Sequence, residues 1–222
     1  MNKINPELVL IDLDGTLVDS VPDLAFCVDE MMQQVDMPVQ GIDKVRTWVG
    51  NGVERLVRRA LTGTLDGEPE DALFEKAYPV FLELYKENTS KRSQVYPGVT
   101  AGLEWLKQQD LALGCVTNKA EQFTLPLLEN LGLLKYFGLV VSGDTLAKKK
   151  PDPMPLLHAA EHFNVSPEKS LLLGDSISDV KAARAAGFSV ICVSYGYNHG
   201  KDIREANPDV VIESFEALPD LL

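Results

Sequence analysis

The chain has 222 residues, 45% of them apolar and 24% charged, with a formal net charge of -12. It is long enough to bury a sizeable core, and its acidity argues against a nucleic-acid coat, which needs a basic face. No stretch approaches the ~18 apolar residues of a membrane span, and the N-terminal stretch MNKINPE lacks the apolar core of a signal peptide.

The first predicted element is a strand over residues 8–13, LVLIDL, which runs into Asp12 and Asp14. Residues at i and i+2 of a strand share a face, so the two carboxylates are expected to look at one spot. Like charges held that way need a cation, a shared proton or a task that uses both. After Val18 the strand signal disappears until about Arg92. In its place come helical patterns: residues 23–34 set Leu24, Cys27, Val28 and Met31 on one face, and residues 52–61 and 71–88 read similarly. Between two of these helices lies a short loop, Trp48 to Gly52. Its glycines let backbone approach a ligand closely, and Asn51 offers a donor for a carboxylate; the plainer reading is a tight turn with Trp48 in the core.

The rhythm changes again at Pro97 and Gly98. Apolar, β-branched runs at residues 111–117, 138–144, 170–175, 189–194 and 208–214 alternate with helical patterns at 100–109, 120–132, 153–164 and 178–187. Strands alternating with helices predict right-handed βαβ units and a parallel sheet covered on both faces. The expected fold is therefore α/β, a Rossmann-like parallel core of residues 1–17 and 93–222, with an all-helical cap domain of residues 18–92 inserted after the first strand.

Open parallel sheets place their sites at the C-terminal ends of strands. Four short motifs fall there or in the loop just beyond: DLDGT (Asp12 to Thr16), TNK (Thr117 to Lys119), KKKPDP with Lys150, and GDSISD with Asp175 and Asp179. Each is weak alone, since Asp12 and Asp14 could be loop acids, Thr117-Asn118 a helix cap, Lys148 to Lys150 a solvated run and Ser176 a cap. Their order is what speaks. Together they resemble the haloacid dehalogenase superfamily of phosphohydrolases, over nearly the whole chain, in the subgroup with a helical cap between the first two motifs.

That resemblance implies a magnesium-dependent phosphomonoester hydrolase. Asp12 would be the nucleophile that is transiently phosphorylated, and Asp14 the general acid and then base. Mg²⁺, a hard cation that prefers oxygen ligands, would be held by Asp12, Asp175 and the backbone carbonyl of Asp14. Thr117, Asn118 and Lys150 would bind the phosphoryl group, with Asp179 orienting Lys150 or metal-bound water. The cap loop, GCVTNK and the late SYGYNHG are similar to bacterial phosphoglycolate phosphatases, which implies 2-phosphoglycolate as substrate. Other phosphate esters, a sugar phosphomutase and, in a different class, a receiver-type signalling module are the alternatives. The expected partner is a small phosphate ester, with no nucleic acid and no membrane. Cys27, Cys115 and Cys192 lie far apart with no C-x-x-C pair, which reads as free thiols in a reducing cytoplasm.

Overall fold

Four residues, Leu8–Ile11, form β1, and every one is buried. The computed structural model describes residues 3–222, so the first two residues of the expected core segment, also the start of the stretch read for a signal peptide, lie outside the described residues. In chain order β1 is followed by β2 (Val18–Asp19), α1 (Val21–Gln34), α2 (Ile42–Trp48), α3 (Val53–Thr62), α4 (Asp71–Glu87) and β3 (Gln94–Val95). Then come α5 (Val99–Gln108), β4 (Ala112–Val116), α6 (Glu121–Asn130), β5 (Leu139–Val141) and α7 (Met154–Phe163). The chain closes with β6 (Ser170–Gly174), α8 (Ile177–Ala186), β7 (Ser189–Val193), β8 (Val210–Ile212) and α9 (Leu218–Leu221).

Six strands make one parallel sheet in the order β5-β4-β1-β6-β7-β8. Alternation along β1 shows why both faces must be covered. Val9 and Ile11 join the core beneath α5, α6 and α9, whereas Leu8 and Leu10 join the core beneath α7 and α8. The sequence order reverses on either side of β1, with β4 on one flank and β6 on the other. A crevice forms at such a switch point, outside the carboxyl ends of the strands.

Two features differ from the sequence reading. The first strand ends at Ile11, so Asp12 and Asp14 lie in the turn beyond it, where Gly15 adopts φ +91°. The same-face geometry expected of strand positions i and i+2 is therefore lost, and the two acids find separate partners. The second is the antiparallel ribbon β2/β3, which pairs Val18 with Val95 and Asp19 with Gln94. Two-residue strands carry no periodicity to detect. The ribbon joins the points where the chain leaves for α1–α4 and returns from them.

Helices α1–α4 bury a core of their own, built on Val21, Leu24, Cys27, Val28, Met31, Trp48, Phe81 and Tyr85. The face predicted for the first of them, Leu24, Cys27, Val28 and Met31, is the buried face of α1. Phe123 and Tyr197 from the sheet-bearing part of the chain complete that cluster.

Asp23 pins the return path. Its fully buried carboxylate accepts from the backbone N–H groups of Arg92 (2.9 Å) and Ser93 (2.8 Å), the Ser93 hydroxyl (2.7 Å) and the Arg92 guanidinium (3.3 Å). The guanidinium also lies 3.7 Å from the centre of the Phe26 ring. Replacing Asp23 by Ala leaves the buried Ser93 N–H and hydroxyl unpaired, while the exposed Arg92 guanidinium can turn to water, so Asp23→Ala should destabilise the chain by roughly 2–4 kcal/mol. A urea unfolding midpoint unchanged from wild type would contradict this.

Candidate active site

The floor of the crevice is built by three chain segments. Asp12 follows β1, Lys150 lies in the loop after β5, and Asp175 to Asp179 bridge β6 and α8. The Lys150 ammonium stands 2.8 Å from Asp12 and 2.6 Å from Asp179, and all three side chains are buried. Ser176 and Asp179 form the capping box of α8. The Ser176 hydroxyl and backbone N–H both donate to Asp179 Oδ2, at 2.6 and 3.1 Å, leaving Oδ1 for Lys150. A capping element thus doubles as the lysine's anchor. Asp175 is enclosed more tightly still: it accepts from the backbone N–H of Tyr197, and Thr16 Oγ1 approaches at 3.4 Å. A Cβ on Gly15 or Gly196 would come within 2.2 Å of the Asp175 side chain, so both glycines permit that close packing.

Electrostatics here favour an added cation. Burial pushes the Asp12 carboxyl up to about 7, with Lys150 opposing the rise and Asp179 adding to it. Asp175 is raised well above the carboxylate range, by burial first and then by the charges of Asp12 and Asp179. Burial alone would lower Lys150, but the two aspartates outweigh it and hold the ammonium above the usual lysine range. One oxygen each of Asp12, Asp175 and Asp179 lie within 4.8 Å of one another. Ionised together, three carboxylates against one ammonium would leave excess negative charge that a proton or a cation must answer, and the donors are all hard oxygens, which fits a divalent cation of the magnesium type.

Asp14 faces elsewhere. Both of its oxygens sit on the Lys119 ammonium, at 3.1 and 3.2 Å, and the same ammonium touches the Tyr85 hydroxyl from α4. Each acid of the DLD pair is thus answered by its own buried lysine. The metal role read from sequence for Asp14 was through its backbone carbonyl, which this carboxylate contact does not use. Burial, reinforced by the charge of Asp14, raises Tyr85 well above its ordinary range, so its hydroxyl stays protonated.

Thr117 follows β4 at the crevice wall. Its hydroxyl oxygen accepts from the Lys119 N–H at 3.2 Å, and its own proton remains to be donated. Asn118 departs from the sequence reading. Its side-chain amide nitrogen donates to the carbonyls of Gly50 (3.1 Å) and Lys150 (2.9 Å), so it braces two loops rather than presenting that amide to a ligand. Neither Lys119 nor Tyr85 was singled out from sequence. The only signal for Lys119 was its place in the TNK motif; Tyr85 had none beyond an apolar helix face.

A lid covers the floor. Trp48 is core, 4% exposed, as the plainer reading of this loop held. Asn51 accepts from Arg59 at 2.8 Å, and its carbonyl accepts from Lys149 at 3.0 Å. From the other side, a His199 ring nitrogen lies 2.9 Å from the Thr47 carbonyl, and the Tyr197 hydroxyl bonds Asp19, itself paired twice with Arg46 at 3.2 Å. Under this lid a cavity of about 40 Å³ remains, with Asp12, Asp14, Thr117, Lys119, Lys150 and Asp175 below and Leu24, Val49, Val53 and Leu56 above.

A family model described as haloacid dehalogenase-like hydrolase matches residues 9–193, from β1 to the end of β7 and so through Asp12, Asp14, Thr117, Lys119, Lys150, Asp175 and Asp179, with Tyr197 and His199 just beyond it. The chain belongs to the haloacid dehalogenase-like hydrolase family. Among relatives of this hydrolase, the phosphoglycolate phosphatase of Nitrosococcus oceani is 63% identical over 217 residues, covering 98% of this chain and 96% of that protein. The phosphoglycolate phosphatase of Thiobacillus denitrificans is 50% identical over 206 residues, covering 93% and 91%. A crystal structure of a predicted phosphoglycolate phosphatase from Haemophilus somnus superposes with a TM-score of 0.92 at 34% identity, covering 97% of both chains. No described helix of this hydrolase is long and apolar enough to cross a membrane.

Proposed function

We propose that this chain hydrolyses 2-phosphoglycolate to glycolate and inorganic phosphate, with Asp12 as the nucleophile and magnesium as cofactor. The observation that carries the reading is Asp12 itself: a buried carboxylate, 2.8 Å from Lys150, at the base of a lidded cavity. The names of the relatives support the substrate.

Asp12 attacks phosphorus, and the P–O bond to glycolate breaks as the bond to Asp12 forms. Asp14 gives the departing alkoxide its proton, then takes one from the water that attacks the aspartyl-phosphate, returning Asp12 and releasing phosphate. Lys150 balances charge on the phosphoryl oxygens, Asp179 keeps that lysine in place, and the Thr117 hydroxyl donates to one of them. Asn118 contributes by joining the Gly50 turn to the Lys150 loop. When bound, Mg²⁺ supplies charge neutralisation between the carboxylate nucleophile and the phosphate dianion, and Asp12 and Asp175 are the side chains that would hold it.

Residues 18–92 act as the cap in this reading, swinging about the β2/β3 ribbon to admit substrate and closing to exclude water. Cys27, Cys115 and Cys192 are buried and unpaired, in keeping with a reducing cytoplasm.

Phosphate release over a panel of small esters with Mg²⁺ tests the assignment. The expected result is a kcat/KM for 2-phosphoglycolate at least tenfold, about 1.4 kcal/mol, above those for hexose phosphates. A preference for hexose phosphates, or their isomerisation without phosphate release, would overturn the substrate.

A further inference from the structure

Lys119 and Tyr85 have no part in the chemistry described so far, yet they meet the charge on Asp14. The Lys119 side chain is 2% exposed and that of Asp14 15%, and the ammonium contacts both carboxylate oxygens. An ion pair this deep carries a desolvation cost, and apolar residues of the same volume would often stabilise the fold as well or better. What the pair supplies instead is direction. A carboxylate held through both oxygens by one lysine has a fixed place on the cavity wall.

The lysine is fixed in turn. Its backbone is tied at three points: its N–H donates to Thr117 Oγ1 at 3.2 Å, and its carbonyl accepts from Thr124 Oγ1 at 3.1 Å and from the Gly143 N–H at 2.8 Å. At the other end its ammonium meets the Tyr85 hydroxyl and stands 4.7 Å from the centre of that ring. Tyr85 is fully buried, its ring centre 5.5 Å from that of Phe81 and 4.8 Å from that of Phe123. Asp14 and Lys119 flank strands of the sheet, whereas Tyr85 lies on α4 of the helical insert.

We infer that Lys119 is a positioning residue that aims Asp14 at the leaving-group oxygen, and that Tyr85 makes this aim depend on the seated helical insert. The inference rests on Asp14 being the general acid and base of the proposed reaction. It goes beyond that reading by assigning the groups that prepare it. Lifting the insert withdraws the Tyr85 hydroxyl from the ammonium and leaves the Lys119 side chain held by Asp14 alone, so the aim of Asp14 is firmest over a closed cavity.

Leaving groups that differ in their need for a proton provide the test. Glycolate must be protonated as it departs, whereas 4-nitrophenolate leaves as the anion. With Lys119→Met, kcat for 2-phosphoglycolate should fall about 10²-fold, while KM stays within about threefold of wild type. With 4-nitrophenyl phosphate the same variant should release one equivalent of nitrophenolate in a burst. Slow turnover then follows, because the first step needs no acid and the second still needs the base. Tyr85→Phe, which keeps the ring packing, should show the same split at smaller amplitude, and Lys119→Arg should recover part of the lost kcat. Tyr85→Phe carries the test if Lys119→Met does not fold.

Asp14→Asn is the reference. If it bursts with 4-nitrophenyl phosphate and the Lys119 and Tyr85 variants do not, the positioning role is wrong and the function of Asp14 stands. An Asp14→Asn enzyme that turns over both esters normally would bring down the reading of Asp14 and this inference with it.

Discussion

Asp12→Asn is expected to lower phosphate release from 2-phosphoglycolate by about 10⁴-fold or more, the scale on which loss of a nucleophile is felt in enzymes whose catalytic groups act together. The amide cannot form the aspartyl-phosphate, so both steps are lost. The substitution changes little else in size. It does replace a buried carboxylate beside Lys150 and Asp179, which leaves that lysine with Asp179 as its partner. Folding should therefore survive, and a thermal melt within a few degrees of wild type separates lost chemistry from lost structure. Acid quenching of the wild-type enzyme during turnover, followed by peptide mass analysis, should find the phosphoryl group on the peptide containing Asp12. A covalent phosphoryl group on any other residue, or an Asp12→Asn enzyme of ordinary activity, would remove the nucleophile from this account.

Removing divalent metal should be nearly as damaging. Loss of several kcal/mol of charge stabilisation corresponds to about 10³-fold in rate, recoverable by added Mg²⁺. The same site predicts a pH signature in stability. Without metal, Asp12 has its pKa pushed up to about 7 in the fold, while in the unfolded chain it returns to its ordinary 3.8. Between those values the folded state holds a proton that the unfolded state has lost. Stability contributed by this group is therefore full below the unfolded value and falls as pH rises toward 7. From pH 5 to 7 the loss is on the order of 2–3 kcal/mol, and Asp175, raised in the same sense, extends it upward.

His199 works against this trend at the acid end. Burial lowers its pKa, so its contribution grows as pH rises toward its ordinary value near 6.5. Carboxylates held below their ordinary range, such as Asp152, Asp202 and Asp209, lose their contribution only at more acid pH. Melting temperatures of chelator-treated protein should accordingly fall from pH 5 to pH 8. Mg²⁺ needs the carboxylates without their protons, so the stabilisation it adds should be larger at pH 8 than at pH 6. A metal effect that shrinks with pH, or turnover indifferent to a chelator, would contradict the magnesium reading.

The α/β architecture was legible because each of the six sheet strands is a contiguous apolar run, and the helices between them repeat an apolar face every three to four residues. Local patterns of that kind do not depend on distant parts of the chain. The helical insert was legible for the same reason, as a long interval without strand signal. Motifs marked Asp12, Asp14, Thr117, Asn118, Lys150 and Asp175 because strand ends collect at one rim of a parallel sheet.

Partnership was a different matter. Two acids two residues apart looked like a shared charge problem, and a strand ending at Ile11 separates them, one to Lys150 and the other to Lys119. Lys119 lies 105 positions from Asp14 and 34 from Tyr85, and no periodicity reports a contact over such distances. Asn118 reads as a free amide along the chain, but folding brings the Gly50 and Lys150 carbonyls to it from two directions. Residue type and spacing thus decide which elements form and which side chains can do chemistry, since both depend on neighbours in the chain. Which carboxylate meets which cation is decided when the loops converge, because charge and hydrogen bonding act through space.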